Sequence, residues 1–149
     1  MILTLDTGIL VRATSRSNGP ARRLLGKIAN NASHLLVLSP FILGEVGKVL
    51  AYSRMQQALQ IAGEEIEEHI AYLLSVSRLV EPEAGMPVVL NDPNDDPVVY
   101  TAIGAGADVL CARDRDFYAP NVIAFCQRYK VDIMDDIHLL GKLDAKPYA

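Results

Sequence analysis

Short apolar runs alternate along the chain with segments whose apolar residues recur at helical spacing. In the segment 62–77, Ile66, Ile70, Leu73 and Leu74 form the apolar stripe of an amphipathic helix. The short runs predict five strands, at residues 2–5, 34–38, 88–90, 108–112 and 131–134. Strands that alternate with helices are typical of a mainly parallel sheet with helices on both faces. The pattern therefore predicts an α/β fold.

Glu45 occupies an unusual position in one predicted helix. Ser39 and Pro40 are typical of a helix start, with Ser39 as the N-cap and Pro40 at the first helical position. Glu45 then lies beside the apolar stripe of this helix, three residues after Ile42 and four before Val49. A carboxylate on a flank that faces the core needs a partner, so Glu45 is a candidate functional residue.

Length and composition favour one soluble domain over residues 1–149. Half of the 149 residues are hydrophobic, but no apolar run approaches the roughly 20 residues that cross a bilayer. The first residues lack the basic region of a secretory signal, so we expect a cytoplasmic protein without a membrane partner. Cys111 and Cys126 are too few for a disulfide framework and are expected to be reduced core residues.

The charge is unevenly distributed. The net charge is -4, yet residues 1–54 hold seven Lys and Arg against two acids, whereas residues 55–149 hold seven against sixteen. The first part therefore carries +5 and the second -9. A basic face beside an acidic pocket would suit a polyanion held against metal ions. Ordinary surface charge is the alternative explanation, and the sequence leaves it open.

Three isolated acids stand where strands end or helices begin. Asp6 follows the first predicted strand, Asp96 precedes a helix, and Asp114 follows the fourth strand. The carboxyl ends of parallel strands share one edge of a sheet, so these side chains can converge, together with Glu45. An all-oxygen set suits Mg²⁺ or Mn²⁺ better than zinc. The sequence thus predicts a metal-dependent hydrolase in outline, although each acid could instead cap a turn.

Four motifs surround these acids in a fixed order. They are LDTGILV at 5–11, LSPFILGE at 38–45, NDPNDD at 91–96 and ADVLCARDRDF at 107–117. In this order they resemble the PIN domain family, and especially its bacterial VapC-like toxin branch, over about residues 1–140. The resemblance implies a three-layer α/β/α sandwich around a mainly parallel five-stranded sheet. It also implies an Mg²⁺- or Mn²⁺-dependent endoribonuclease that acts as the toxin of a toxin–antitoxin pair.

The resemblance assigns roles to particular residues. Asp6, Glu45, Asp96 and Asp114 would be the metal-binding and catalytic acids. Asp116 would be an auxiliary catalytic acid, and Thr7 a polar neighbour of the substrate. Asp96 is preferred to the adjacent Asp95 because its spacing to Asp114 and the register of the following helix match the family.

Partners follow from the same reasoning. RNA is the expected substrate, and Arg12, Arg22 and Arg23 of the basic N-terminal third are expected to bind it. A cognate antitoxin could place a basic side chain among the acids, and a homodimer could form through the apolar residues of the 40–80 region. Arg113 and Arg115 are expected to pair locally with the neighbouring acids rather than with phosphate.

Two positions depart from the family pattern and keep another function open. Gly8 stands where the family usually has Asn, and Ala112 stands where it usually has Thr or Ser. A catalytically weak or inactive PIN-like module that binds a partner or RNA is therefore the alternative. A phosphatase of the haloacid dehalogenase type is disfavoured, because it needs a second Asp where this chain has Gly8.

Overall fold

The computed structural model describes residues 1–145 of the chain, so the last four residues of the predicted domain, 146–149, lie outside the described part. The strands form one sheet in the order β3-β2-β1-β4-β5, and every neighbouring pair is parallel. The five strands are β1 (Ile2–Leu5), β2 (Leu35–Leu38), β3 (Ser77–Leu79), β4 (Val109–Cys111) and β5 (Asp132–Met134). The predicted α/β sandwich with a parallel five-stranded sheet is confirmed.

Helices flank the sheet and bury their apolar stripes against it. Among them, the helix Pro20–Ala29 packs on the helix Asp136–Asp144, and the helix Pro40–Leu50 packs on both Thr7–Arg12 and Gly63–Val76. No helix within residues 1–145 is both long enough and apolar enough to span a bilayer. The helices are α1 (Thr7–Arg12), α2 (Pro20–Ala29), α3 (Pro40–Leu50), α4 (Ser53–Leu59), α5 (Gly63–Val76), α6 (Asp96–Ala105), α7 (Pro120–Gln127) and α8 (Asp136–Asp144).

The helix starts that proline marked are confirmed. Pro20 and Pro40 open α2 and α3, and the Ser39 side chain accepts a hydrogen bond from the Ile42 backbone N–H at 3.4 Å. Proline has no N–H to leave unpaired in the first turn, and Ser39 satisfies one of the N–H groups that remain. These local signals set the direction in which α3 leaves β2.

The third strand is not where the apolar pattern placed it. Residues 88–90 are not a strand, whereas Ser77–Leu79, directly after α5, pairs with β2. Val88 and Val89 are buried, but their backbone N–H groups donate to the Asp96 carboxylate at 3.1 and 2.7 Å. The apolar pair Val88 and Val89 therefore reflects burial, whereas Leu90 is exposed. The Asp96 side chain takes the N–H groups that a neighbouring strand would have used.

The register of the sheet brings two functional loops together. Leu5 at the end of β1 pairs with Cys111 at the end of β4, and the backbone N–H of Asp6 donates to the Cys111 carbonyl at 2.9 Å. Both strands are buried, so this edge of the sheet is rigid. Asp6 and the segment that holds Asp114 consequently emerge side by side.

Candidate active site

A pocket of about 420 Å³ opens at the carboxyl edge of the sheet, and we call it the acidic pocket. Its walls come from the end of β1, from α1 and α3, from the turn before α6 and from the loop after β4. It is lined by Asp6, Thr7, Gly8, Arg12, Phe41, Glu45, Asp92, Asn94, Asp95, Val98, Arg113 and Asp114. Five carboxylates therefore share one concave site.

Three of the four predicted metal-binding acids lie in the acidic pocket. Asp6 extends from the end of β1 and is buried, with 7 % of its surface exposed. Glu45 reaches the pocket from α3, and Asp114 from the loop after β4. The expectation that parallel strand ends and the flank of α3 bring these acids together is correct.

Asp96 does not line the acidic pocket, and here the structure corrects the predicted position. Asp96 is the first residue of α6, and its carboxylate accepts the two backbone hydrogen bonds from Val88 and Val89. The preceding residue, Asp95, faces the acidic pocket instead. The spacing to Asp114 and the helix register of the family favoured Asp96, but the Val88 and Val89 backbone N–H groups take its carboxylate.

Two further acids approach Asp95. Carboxylate oxygens of Asp92, Asp95 and Asp116 lie within 4.8 Å of one another, close enough to hold a common cation. Asp116 was predicted as an auxiliary acid, whereas Asp92 was missed. The signal for Asp92 was its place three residues before Asp95, since the 3₁₀ turn Pro93–Asp95 returns the chain on itself.

Burial and charge make two of these acids hard to ionise. Burial raises the pKa of Asp6 to about 6, although the backbone N–H groups of Thr7 and Gly8 oppose the rise. Burial also raises the pKa of Asp95 to about 8, and the negative charges of Asp6, Asp92, Asp114 and Asp116 add to it. Without a cation, Asp95 therefore keeps its proton at neutral pH, whereas Asp6 is protonated only in mildly acidic solution.

The acidic pocket suits a divalent cation. The side-chain oxygen Oδ2 of Asp95 is buried and has no hydrogen-bond partner among residues 1–145. A buried carboxylate oxygen without a donor is costly unless a cation or water satisfies it. The ligand set contains oxygen only, which Mg²⁺ and Mn²⁺ prefer. Asp95, together with the acids around it, therefore fits a metal site.

The residues expected to bind RNA separate into two groups. Thr7 and Arg12 line the acidic pocket. Arg22 lies in a different pocket, beside Glu65 and His69, where its Nη1 donates to the Ala13 carbonyl at 3.2 Å. Its neighbour Arg23 is exposed on α2. Binding of RNA by these residues stays a prediction, but only the first group borders the acids.

Arg113 has a partner that the sequence did not indicate. Its Nε donates to Asp136 Oδ1 at 2.7 Å, across 23 residues, rather than to the neighbouring Asp114. Asp136 is almost fully buried at the start of α8. The expectation of local pairing is therefore wrong for Arg113, because α8 supplies a closer carboxylate.

Gly8 and Ala112 are the two departures from the family pattern, and neither places a polar side chain in the structure. A Cβ atom added at Gly8 would lie 3.8 Å from Asp6 Oδ2, which is ordinary contact, so the position has room for a Cβ atom. Ala112 is fully buried, and its carbonyl accepts a hydrogen bond from Tyr118 at 2.6 Å. Neither residue supplies a side-chain donor to the acids.

Comparison with known proteins decides the family. A family model described as a PIN domain matches residues 3–116, a range that contains every acid of the pocket. The chain belongs to the PIN domain family. The resemblance drawn from the four motifs is thereby confirmed. No curated protein matches this PIN domain in sequence.

Two solved structures are similar to this PIN domain at low sequence identity. One is the crystal structure of VapBC2 from Rickettsia felis bound to a DNA fragment from its promoter. It has a TM-score of 0.55 and 18 % identity, over 89 % of this chain and 98 % of that chain. Another is a PilT N-terminus domain protein from the hyperthermophilic archaeon Sulfolobus solfataricus P2, with a TM-score of 0.48 and 14 % identity over 100 % of this chain and 98 % of that one.

Proposed function

We propose that this PIN domain is an endoribonuclease that hydrolyses phosphodiester bonds in RNA with Mg²⁺ or Mn²⁺ as its cofactor. The observation that carries the proposal is the buried oxygen of Asp95, which has no donor among residues 1–145 and faces a pocket of carboxylates. A site of this kind has little structural value, because crowded like charges destabilise the folded chain. Binding of a cation and a phosphodiester would account for the crowded carboxylates.

Each acid has a part in this function. Asp6, Glu45, Asp95 and Asp114 would hold the metal, and Asp92 and Asp116 would complete the ligand set around Asp95. When bound, a divalent cation supplies Lewis-acid activation of water and of the phosphodiester. Asp95 and Asp6 release protons as they become ligands, because only the carboxylate form binds metal. Asp96 holds the 88–89 segment that leads into Asp92.

The biological setting we propose is a toxin–antitoxin pair. The support is the motif resemblance to the VapC-like branch and the similarity in fold to VapBC2. A protein antitoxin would inhibit by placing a cationic side chain near the carboxylates of the pocket. A homodimer is part of the same proposal.

The experiment is cleavage of a mixed single-stranded RNA pool by the purified full chain. Wild type is assayed with Mg²⁺, with Mn²⁺ and with EDTA, beside Asp6→Asn and Asp95→Asn. Glu67→Gln is the matched control, since it also neutralises one acid but lies exposed on α5. We expect metal-dependent cleavage by wild type and Glu67→Gln, and a loss of at least roughly 100-fold in both Asn variants. Cleavage that persists in EDTA and in both Asn variants would refute the mechanism.

The alternative is a PIN-like module without strong activity. Gly8 and Ala112 favour it, because neither residue offers a side-chain donor that could orient the acids. Binding of Mn²⁺ and RNA by wild type, with no cleavage under any of the metal conditions, would select this alternative.

A further inference from the structure

A second cavity of about 200 Å³ adjoins the acidic pocket, and we call it the side cavity. Arg12 and Arg113 line both of them, so these two arginines lie between the acidic pocket and the side cavity. The rest of the side cavity includes the apolar side chains of Pro20, Ala21 and Leu59. A cationic boundary between an acidic pocket and a partly apolar cavity needs an explanation.

Asp136 fixes the position of Arg113. The carboxylate of Asp136 is 1 % exposed, whereas the side chain of Arg113 is 38 % exposed. The bond from Arg113 Nε to Asp136 Oδ1 uses one edge of the guanidinium. Within residues 1–145, the terminal Nη groups of Arg113 make no hydrogen bond. They are therefore free to bind a ligand.

Stability alone explains this arrangement poorly. A buried ion pair contributes little net stability, because the desolvation of its charges offsets their attraction. A buried carboxylate that holds an exposed guanidinium in one place does, however, lower the entropy cost of binding an anion. Guanidinium groups suit phosphate because their parallel N–H groups match its oxygens.

We propose that Arg12 and Arg113 bind the RNA phosphate next to the bond that is cleaved, and that Asp136 is the positioning residue for Arg113. The side cavity then receives the nucleoside attached to that phosphate, with its apolar face against Pro20, Ala21 and Leu59. This assignment rests on the proposed function, since it takes RNA as the substrate. It adds the direction in which the RNA leaves the acidic pocket.

The first test measures RNA binding without cleavage, in the Asp6→Asn background with Mg²⁺. The probe is a short fluorescein-labelled single-stranded RNA, and its anisotropy is followed over a range of salt concentrations. Arg12→Gln is compared with Arg78→Gln, which removes the same charge from the edge strand β3 and lines neither space. We expect binding to weaken roughly tenfold in Arg12→Gln only, with the salt slope reduced by about 0.7. Equal effects of the two variants would overturn the role of Arg12.

A charge-neutral variant tests Arg113 without leaving a buried charge unpaired. The double variant Arg113→Gln/Asp136→Asn keeps the net charge and retains a polar pair at the buried position. We expect roughly tenfold weaker RNA binding and a reduced salt slope, with thermal stability close to that of the background protein. Binding equal to that of the background would overturn the proposal for Arg113.

Asp136 alone tests the positioning role. Asp136→Asn and Asp136→Ala remove the same negative charge, but only Asn keeps an oxygen that can accept from Arg113 Nε. If Asp136 positions Arg113, the Ala variant binds RNA several-fold more weakly than the Asn variant. If Asp136 acts only through its charge, both variants bind more tightly than the background and equally well, and the positioning role is wrong. Should Asp136→Ala fail to fold, the double variant still decides the role of Arg113.

Different experimental results would contradict this inference and the proposed function. RNA cleavage by wild type, with RNA binding unchanged in Arg12→Gln and in the double variant, would remove the subsite and leave the ribonuclease. RNA binding that depends on both arginines, without cleavage by wild type, would keep the subsite and remove the catalytic assignment. Absence of RNA binding by the wild type would overturn both.

Discussion

Asp95 and Asp96 are adjacent in the chain, but their carboxylates serve different surroundings. Asp95 faces the acidic pocket, while Asp96 Oδ1 accepts hydrogen bonds from the backbone N–H groups of Val88 and Val89. The second carboxylate thereby ties the irregular 88–89 segment to the start of α6. In the proposed function, Asp95 binds the cation while Asp96 secures the loop that leads into the acidic pocket.

This relationship predicts opposite responses at the two positions. Asp95→Asn should abolish Mn²⁺ binding at the pocket. It should leave thermal stability unchanged near neutral pH, where Asp95 is mostly protonated, and raise it above about pH 8, where the substitution removes a crowded charge. Asp96→Asn keeps an acceptor oxygen for the Val88 and Val89 N–H groups and should retain most of the metal affinity. Asp96→Ala leaves both N–H groups without that acceptor and should lower the free energy of unfolding by roughly 2 kcal/mol.

Calorimetric titration with Mn²⁺ and chemical denaturation of the three variants check this prediction. Loss of Mn²⁺ binding in Asp96→Asn, with full binding in Asp95→Asn, would reverse the assignment. The metal role predicted for Asp96 would then stand despite its position outside the acidic pocket.

The raised pKa values predict a pH dependence of the metal-free protein. The ordinary value is 3.8 for both acids, and the folded chain raises the pKa of Asp6 to about 6 and that of Asp95 to about 8. Between the unfolded and folded values the folded state binds more protons, so these two groups make the protein less stable as pH rises from about 4 to 8. Below about pH 4 the two groups make their full contribution to the stability of the folded state. Above about pH 8 that contribution is lost.

Thermal unfolding of the metal-free protein at several pH values measures this effect. Asp95→Asn should flatten the decline above pH 6, and Mg²⁺ should oppose it, because metal binds the deprotonated form. The metal affinity itself should rise over the same range. A pH profile that is identical in wild type and Asp95→Asn would show that Asp95 ionises normally.

Neighbouring arginines on α2 provide a matched comparison. Arg22 donates to the Ala13 carbonyl and lies 5.7 Å from the centre of the Tyr72 ring, whereas Arg23 is exposed. Arg22→Ala should therefore lower the free energy of unfolding by about 1–2 kcal/mol through lost hydrogen bonding and cation–π contact. Arg23→Ala removes the same charge and should change stability by less than about 0.5 kcal/mol.

Denaturant unfolding of both arginine variants, beside RNA binding, separates their roles. If RNA binding weakens equally in the two variants while stability is unaffected, Arg22 is a surface cation and its observed contacts contribute nothing.

Gly85 predicts a packing effect at a distance from the acids. A Cβ atom there would overlap the Oη and Cζ atoms of Tyr100, whose hydroxyl donates to the Met86 carbonyl at 2.8 Å. Gly85→Ala must displace Tyr100 and should cost about 1–3 kcal/mol. Chemical denaturation measures the cost, and Gly104→Ala is the control, because a Cβ atom there meets nothing within 4 Å. Gly104→Ala should be as stable as the wild type or more stable, because the position is inside α6. If Gly85→Ala is also as stable as the wild type, Tyr100 moves aside without cost.

Much of the fold could be predicted from local patterns. The strands β1, β2, β4 and β5 and the helix starts at Pro20 and Pro40 follow from apolar runs and capping residues, which act within a few positions of the chain. Convergence of Asp6 and Asp114 followed as well, because parallel strands place their carboxyl ends on one edge of the sheet. Glu45 was identified from its place beside the apolar stripe of α3.

Three features depended on contacts between distant residues. Ser77–Leu79 became the edge strand although its sequence is not apolar, because β2 offers it backbone partners. Arg113 pairs with Asp136 from α8, 23 residues away. Asp95 and Asp96 are chemically identical and about 100° apart around a helix axis, so either could have faced the acids.

The sequence by itself determined that carboxylates would gather at this edge of the sheet. Only the tertiary structure decided which of the two belongs to the site, since that depends on where the Val88 and Val89 N–H groups meet α6.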